Sequence, residues 1–247
     1  MSDRTLGIDV SFWQDDNSTP QQIDWRKAKA AGAKFAFIRA GQNTYPDEDF
    51  VYNWRESKAV GILRGAYLYY DYRNYPRPQA EFLWRQIQND PGELPPVLDF
   101  EQHPQWALPP RDNCLAVIKT FLAELEALCK CKPIFYSNPS MLIYTLKPIP
   151  AWLTEYPLWI AHYGADEPMR SAWAAWQQGW TFWQYSTTGD GKAFGMESKG
   201  LDMNWFNGSE EQLRAFANIQ NIPPKPKPEL MLEEKIKILW DAHPELH

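Results

Sequence analysis

Asp99 and Glu101 stand one residue apart at the end of the stretch Leu94-Pro95-Pro96-Val97-Leu98-Asp99-Phe100-Glu101. Two more acids, Asp9 and Asp202, lie in other apolar stretches far away in the chain. Side chains alternate along a strand, so Val97, Asp99 and Glu101 share one face while Leu98 and Phe100 share the other. Two carboxylates separated by about 6–7 Å of strand suit paired acid–base work, one giving a proton and the other carrying negative charge. Crowding can divide that labour, because neighbouring charge raises the pKa of one carboxyl toward neutrality. An isolated Asp-x-Glu is more often a turn acid beside a surface glutamate. What the remaining elements bring to this spot decides between the two.

Eight stretches have strand character: Leu6–Phe12, Lys34–Ala40, Ile62–Tyr70, Leu94–Glu101, Lys132–Asn138, Pro157–Tyr163, Thr181–Ser186 and Leu201–Phe206. Helices are expected between the early ones. Thr19-Pro20-Gln21-Gln22 reads as an N-cap, a first-turn proline and a capping glutamine, opening a helix to Ala31 that stops at Gly32. Further helices are expected over Asp49–Ala59, Pro78–Asn89 and Asp112–Cys129, and Ser209-Glu210-Glu211-Gln212 is a capping box for one to Ile219. Strand–helix alternation argues for a parallel sheet with right-handed crossovers, and eight strands can close a barrel. The last strands have no room for crossover helices. The expected fold is therefore α/β: an irregular (β/α) barrel whose C-terminal part is poor in helices.

Parallel barrel strands end on one face, where active sites form. That face would collect Asp9, Arg39, Tyr67, Tyr69, Asp99, Glu101, Tyr136, Tyr163, Trp183 or Tyr185, and Asp202. Each has a plainer use: Asp9 and Asp202 as turn acids, Arg39 as a counter-charge, the tyrosines as core or rim. His103 and His162 receive no role, and Ser137 and Ser186 lack the partners of a hydrolytic triad.

Bulk properties narrow the choice. A chain of 247 residues fits one α/β barrel. Its 13 Trp, 12 Tyr and 12 Phe suit a groove that stacks on flat ligands such as sugar rings. A net charge of −6 without a long basic run argues against nucleic acid. No stretch is apolar for long enough to span a membrane, and Met1–Leu6 lacks the basic start and apolar core of a signal peptide. Cys129-Lys130-Cys131 is too tightly spaced for a zinc knuckle, so Cys114, Cys129 and Cys131 are expected as free thiols from a reducing compartment. Neither metal nor cofactor is expected.

Together these motifs resemble glycoside hydrolase family 25, the muramidase-type lysozymes. The resemblance rests on Gly7–Gln14 with Ile23-Asp24-Trp25, on Phe35–Ala40, Gly65-Ala66-Tyr67 and Pro96–Glu101, and on Pro133–Asn138, Pro157–Tyr163, Trp183-Gln184-Tyr185 and Leu201–Asn204. It runs in order over Leu6–Phe206. The departures are Asp15-Asp16-Asn17 where a glycine is common and Arg39 where lysine is frequent, while Gln42–Tyr45 could reshape the cleft rim.

The resemblance implies a flattened barrel and cleavage of the β-1,4 bond from N-acetylmuramic acid to N-acetylglucosamine in peptidoglycan. Glu101 would be the general acid, with Asp99, Asp9 and Asp202 as the other cleft acids. Ionised Asp99 would raise the pKa of Glu101, and Asp99 or Asp9 would orient the substrate's acetamido group; direct attack by either aspartate stays open. A non-catalytic peptidoglycan-binding barrel and a glycosidase of other N-acetylated glycans are the alternatives. A wall substrate without a standard signal suggests an endolysin made in the cytoplasm and released through a holin-like membrane pore. The barrel is expected over 1–221, with a Pro/Lys linker over 222–231 and a short amphipathic helix within 232–247. That helix has Leu232, Ile236, Leu239 and Trp240 on one stripe, suited to self-association or docking on the barrel.

Overall fold

The computed structural model describes residues 3–15, 18–19 and 21–220. The linker and the C-terminal helix expected beyond 221 lie outside the described residues. Nine strands form one sheet among those described: β1 (Thr5–Val10), β2 (Phe35–Gln42), β3 (Tyr45–Pro46), β4 (Leu63–Tyr69), β5 (Val97–Asp99), β6 (Ile134–Ser137), β7 (Leu158–Ala161), β8 (Phe182–Asp190) and β9 (Gly200–Phe206). The order is β1-β9-β8-β7-β6-β5-β4-β2-β3, and a further β1–β2 pairing closes eight of them into a barrel. Strand β3 is an antiparallel flap on β2 that was not expected. It needs Gly41, because a methyl group there would run into the Tyr45 carbonyl.

Seven barrel strands run parallel, and β9 runs antiparallel to both of its neighbours, β8 and β1. This corrects the expectation that every strand points the same way. The chain crosses back through helices α2 (Phe50–Ala59), α3 (Pro76–Ile87) and α4 (Arg111–Cys129), after a short α1 (Trp25–Ala30). Between β7 and β8 there is only the single turn α5 (Arg170–Trp173), and no helix separates β8 from β9. The helix-poor end is thus where it was expected.

Two corrections concern element boundaries. Helix α1 begins at Trp25, not near Pro20. Asp24 caps it, accepting from the backbone of Arg26 at 3.1 Å and Lys27 at 3.3 Å. Thr19 instead donates to the Glu197 carboxylate at 2.9 Å, and the Asp24 amide is held by the Gly195 carbonyl at 3.0 Å, so this segment is tied to the loop before β9. Strand β5 ends at Asp99, leaving Glu101 just beyond the ladder. The capping box before α6 (Glu210–Gln220) forms as expected, with Ser209 and Gln212 exchanging side-chain to backbone bonds of 2.8 and 3.2 Å.

Alternation divides the apolar residues into two layers. Ile8, Val10, Ile38, Leu68, Leu98 and Phe100 face the helices. Phe35, Phe37, Val97, Ile134, Trp159, Phe182 and Phe206 fill the barrel. Gly7 makes that filling possible, since a methyl group there would strike the Phe35 ring. Phe216 of α6 packs on Phe182 and Phe206 and closes the floor. Truncating such a buried aromatic costs about 3–5 kcal/mol. The stacked rings therefore form a rigid plug, and the polar residues occupy the next layer up.

Candidate active site

The inward rows continue past the plug into a cleft at the strand C-terminal ends. On β2 the step of two runs Phe35, Phe37, Arg39; on β5 it runs Val97, Asp99; on β1 it runs Gly7, Asp9. Asp202 reaches the same level by the opposite route. It lies near the start of the reversed strand β9, where it is the ladder partner of Asp9. Of the residues expected here, Asp9, Arg39, Tyr67, Tyr69, Asp99, Glu101, Tyr136, Tyr163 and Asp202 all line this cleft.

Trp183 and Tyr185 do not, and the reason is alternation on β8. Gln184 faces inward, so its two aromatic neighbours face out. Trp183 is only 1 % exposed, and its indole donates to the His162 carbonyl at 2.7 Å. It has no surface for a ligand. Tyr185 stacks on Trp205 and lines a neighbouring depression that shares Tyr163 with the acid cleft.

Gln184 and Asn204 are the residues that sequence reasoning missed, and they organise the site. Both donate to Asp9 Oδ2, at 2.8 Å from Gln184 Nε2 and 2.7 Å from Asn204 Nδ2. Each amide is itself oriented. Trp159 Nε1, which can only donate, binds Asn204 Oδ1 at 2.8 Å. The hydroxyls of Tyr136 and Tyr163 donate to Gln184 Oε1 at 2.9 and 2.6 Å. The signal was available: Asn204 is two residues from Asp202, and Gln184 is the residue between two aromatics that must share a face. Trp13, 69 % exposed on the rim, was also missed.

Arg39 is committed to the rim. Its Nε donates to Asp47 Oδ2 at 2.7 Å, and its guanidinium lies 4.4 Å from the Phe12 ring centroid. Asp47 also accepts from the Phe12 amide at 3.1 Å, so the residue following the β3 flap fixes this wall of the cleft.

Four carboxyls in a half-enclosed cleft cannot all ionise near neutrality. Burial pushes Asp9 up to about 6, and the bonds from Asn204 and Gln184 hold it from going higher. Burial and the charge of Asp9 push Glu101 up to about 7, partly offset by a bond from Asn138. Burial, Asp9 and Glu101 push Asp202 up to about 8. Asp99 is driven well above the usual carboxylate range by burial, Glu101 and Asp9, with Arg39 opposing. Its Oδ1 is buried and finds no hydrogen-bond partner among the described residues. Two amide donors favour the anionic form of Asp9, whose charge adds to burial in lifting Glu101, and Asp99 and Glu101 repel each other as the sequence predicts. Among the described residues no group of three or more His, Cys, Asp or Glu side chains is arranged to hold a metal ion.

A cleft holding one fixed anion, several protonated carboxyls and a tyrosine wall is equipped for acid-assisted bond cleavage. Comparison with known proteins agrees. The model of glycosyl hydrolases family 25 matches residues 8–193. Lysozyme M1 of Streptomyces globisporus is 32 % identical over 232 residues, covering 86 % of this chain and 73 % of that protein. The bacterial lysozyme of Streptomyces coelicolor superposes with a TM-score of 0.74 at 31 % identity, covering 87 % of this chain and 98 % of that one. A family 25 glycosyl hydrolase from Bacillus anthracis gives 0.73 at 26 % identity, over 86 % and 93 % of the two chains. The chain belongs to glycosyl hydrolases family 25, the muramidase-type lysozymes, and is a glycoside hydrolase.

Proposed function

We propose that this enzyme hydrolyses peptidoglycan at the β-1,4 bond between N-acetylmuramic acid and N-acetylglucosamine, with Glu101 as general acid. The observation that carries the assignment is the pairing of unequal carboxyls. Glu101 retains its proton up to about pH 7 beside an anionic Asp9 whose charge two amides stabilise. Family membership supplies the substrate class.

Glu101 protonates the glycosidic oxygen as the C–O bond breaks, and the departing sugar leaves as an alcohol. The acetamido oxygen of the N-acetylmuramic acid residue attacks the anomeric carbon. Asp99, whose Oδ1 has no partner among the described residues, takes up the acetamido N–H and holds the group in line. Water then opens the cyclic intermediate, with Glu101 as base, and the configuration is retained. Asp9 contributes the negative charge that stabilises the oxocarbenium-like carbon. Asp9 is 4 % exposed and already bonded at Oδ2 to both amides, which favours an electrostatic part over direct attack.

Purified peptidoglycan is the test substrate: reducing ends should appear, and mass analysis should place N-acetylmuramic acid at the new end. Chitin cleavage at equal rate, or binding without cleavage, would replace this reading. Glycan de-N-acetylated at muramic acid should resist the enzyme, and its normal cleavage would move the nucleophile to a carboxylate. The setting we propose is cell lysis, by an enzyme that accumulates inside the cell and reaches the wall through a membrane pore. Its three free cysteines suit a reducing compartment. Fractionation before and during lysis checks this: enzyme in the wall fraction of intact growing cells would refute it.

A further inference from the structure

At the end of the barrel away from the acids, helix α4 stops at Cys129 and the chain turns through Lys130 and Cys131 toward β6. Residues two apart point away from each other on a helix, and on a strand they lie about 6–7 Å apart. Neither arrangement would join two thiols. Here Lys130 is left-handed, with φ of 60°, and the turn folds the second cysteine back on the first. The Cys131 thiol donates to Cys129 Sγ at a separation of 3.2 Å, and Cys129 Sγ donates to the Cys131 carbonyl at 3.3 Å. Both side chains are half-buried, while the third cysteine, Cys114, is fully buried with its thiol turned to the Pro109 carbonyl.

We propose that Cys129 and Cys131 form a dithiol site that closes to an intramolecular disulfide when the protein meets a low-molecular-weight or protein disulfide. This inference rests on the geometry of the turn and is independent of the reaction proposed above. A sulfur–sulfur bond of about 2.05 Å needs an approach of roughly 1 Å from the present contact, within the reach of side-chain rotation.

The chemistry balances in two exchanges. Cys129 is the attacking sulfur, because the thiol hydrogen of Cys131 favours its thiolate and lowers its pKa. Its thiolate attacks the oxidant disulfide, forms a mixed disulfide and expels one thiolate, which takes up a proton. Cys131 loses its proton, attacks Cys129 Sγ and releases the second thiol. Two cysteine thiols are oxidised and one disulfide is reduced to two thiols. Glu126 resists formation of the thiolate, but Lys132 Nζ, 3.1 Å from Glu126 Oε1, offsets part of that charge.

A loop this small removes little entropy from the unfolded chain, so the bond would not act as a stability staple. Its effect is chemical. An accessible single thiol carried into an oxidising medium is captured as a mixed or intermolecular disulfide. A thiol with a partner 3.2 Å away resolves that adduct itself. The pair thus seals itself, while Cys114 is protected by burial.

Oxidised glutathione added to the full-length native protein provides the test. The expected product is monomeric, lacks the mass of two hydrogens, and shows one free thiol in denaturant instead of three. Trypsin cleavage after Lys130 should give two peptides held together by the disulfide. Cys131→Ser should accumulate a glutathione adduct on Cys129 several-fold beyond the wild type. A stable glutathione adduct on the wild-type protein, a disulfide-linked dimer, involvement of Cys114, or three thiols remaining at every ratio of oxidised to reduced glutathione would each overturn the proposal.

Discussion

Asp9 and Asp202 are direct partners across the antiparallel β1–β9 ladder, so two carboxyls face the cleft at one level of the barrel. Only the reversal of β9 allows this. A parallel β9 would have carried Phe206, its last residue, to the mouth and left Asp202 toward the floor. Burial and then the charge of Asp9 make an ionised Asp202 costly, raising its pKa to about 8 while Asp9 keeps the amide donors.

That cost should appear in stability. A carboxyl whose folded pKa exceeds its unfolded value leaves stability intact below the unfolded pKa and diminishes it as pH rises through the folded pKa. For Asp202 the window runs from its ordinary value of 3.8 to about 8. Asp202→Asn should therefore match the wild type near pH 4 and exceed it above pH 8. Allowing for partial solvation, the gain is on the order of 1–3 kcal/mol, or several degrees in Tm. Thermal melts across this range check it, and a gain that is constant with pH would contradict the assignment.

The fixed anion at Asp9 depends on Gln184. Gln184→Met keeps the length and removes both the amide donor to Asp9 and the acceptor for Tyr136 and Tyr163. A hydrogen bond to a charged group contributes about 1.5–3 kcal/mol. Losing it should raise the pKa of Asp9 by roughly one to two units. The acidic limb of kcat/KM should move up by a similar amount, with maximal rate down about tenfold or more. An unmoved acidic limb would detach Gln184 from Asp9.

The wild-type pH profile follows from the same pair. The proposed mechanism requires Asp9 ionised and Glu101 protonated, so kcat/KM should peak between about 6 and about 7 and fall on both sides. Titrating hydrolysis of soluble glycan fragments from pH 4 to 9 measures it. A plateau extending to pH 9 would remove Glu101 as the acid.

Trp13 stands at the rim of the cleft, 69 % exposed and packed on Phe12. Its exposed indole can stack on a sugar ring at the rim. Trp13→Ala should raise KM several-fold with kcat nearly unchanged, as removal of uniform binding does. A fall in kcat at constant KM would assign it to the transition state instead.

Much of this was legible in the residues because local physics and global fold agree. Alternating strands and the helical stretches between the early ones placed all eight barrel strands, and the inward step of two carried Arg39, Asp9 and Asp99 to the mouth. Strand direction was less visible, since an alternating pattern reads the same both ways. The short connection 191–199 did contain the answer, because a parallel return needs a dozen residues or more. Gln184 was hidden by its neighbours: Trp183 and Tyr185 attract attention as sugar platforms, yet alternation turns both away from the acids. At Thr19 a good capping pattern lost to Asp24, whose backbone is bound to Gly195 far along the chain. Only the tertiary structure reveals that competitor.

The central claim is that Glu101 donates the proton, and Glu101→Gln tests it most directly. The amide keeps the size and polarity of the side chain but has no acidic proton to give. Reducing ends released from purified peptidoglycan by variant and wild type, at pH 6.5 and equal concentration, are the measurement. Loss of general-acid catalysis predicts a fall of about 10²–10⁴-fold, with glycan binding retained and Tm at least equal to the wild type. A folded variant that releases reducing ends at more than a few per cent of the wild-type rate would contradict the account.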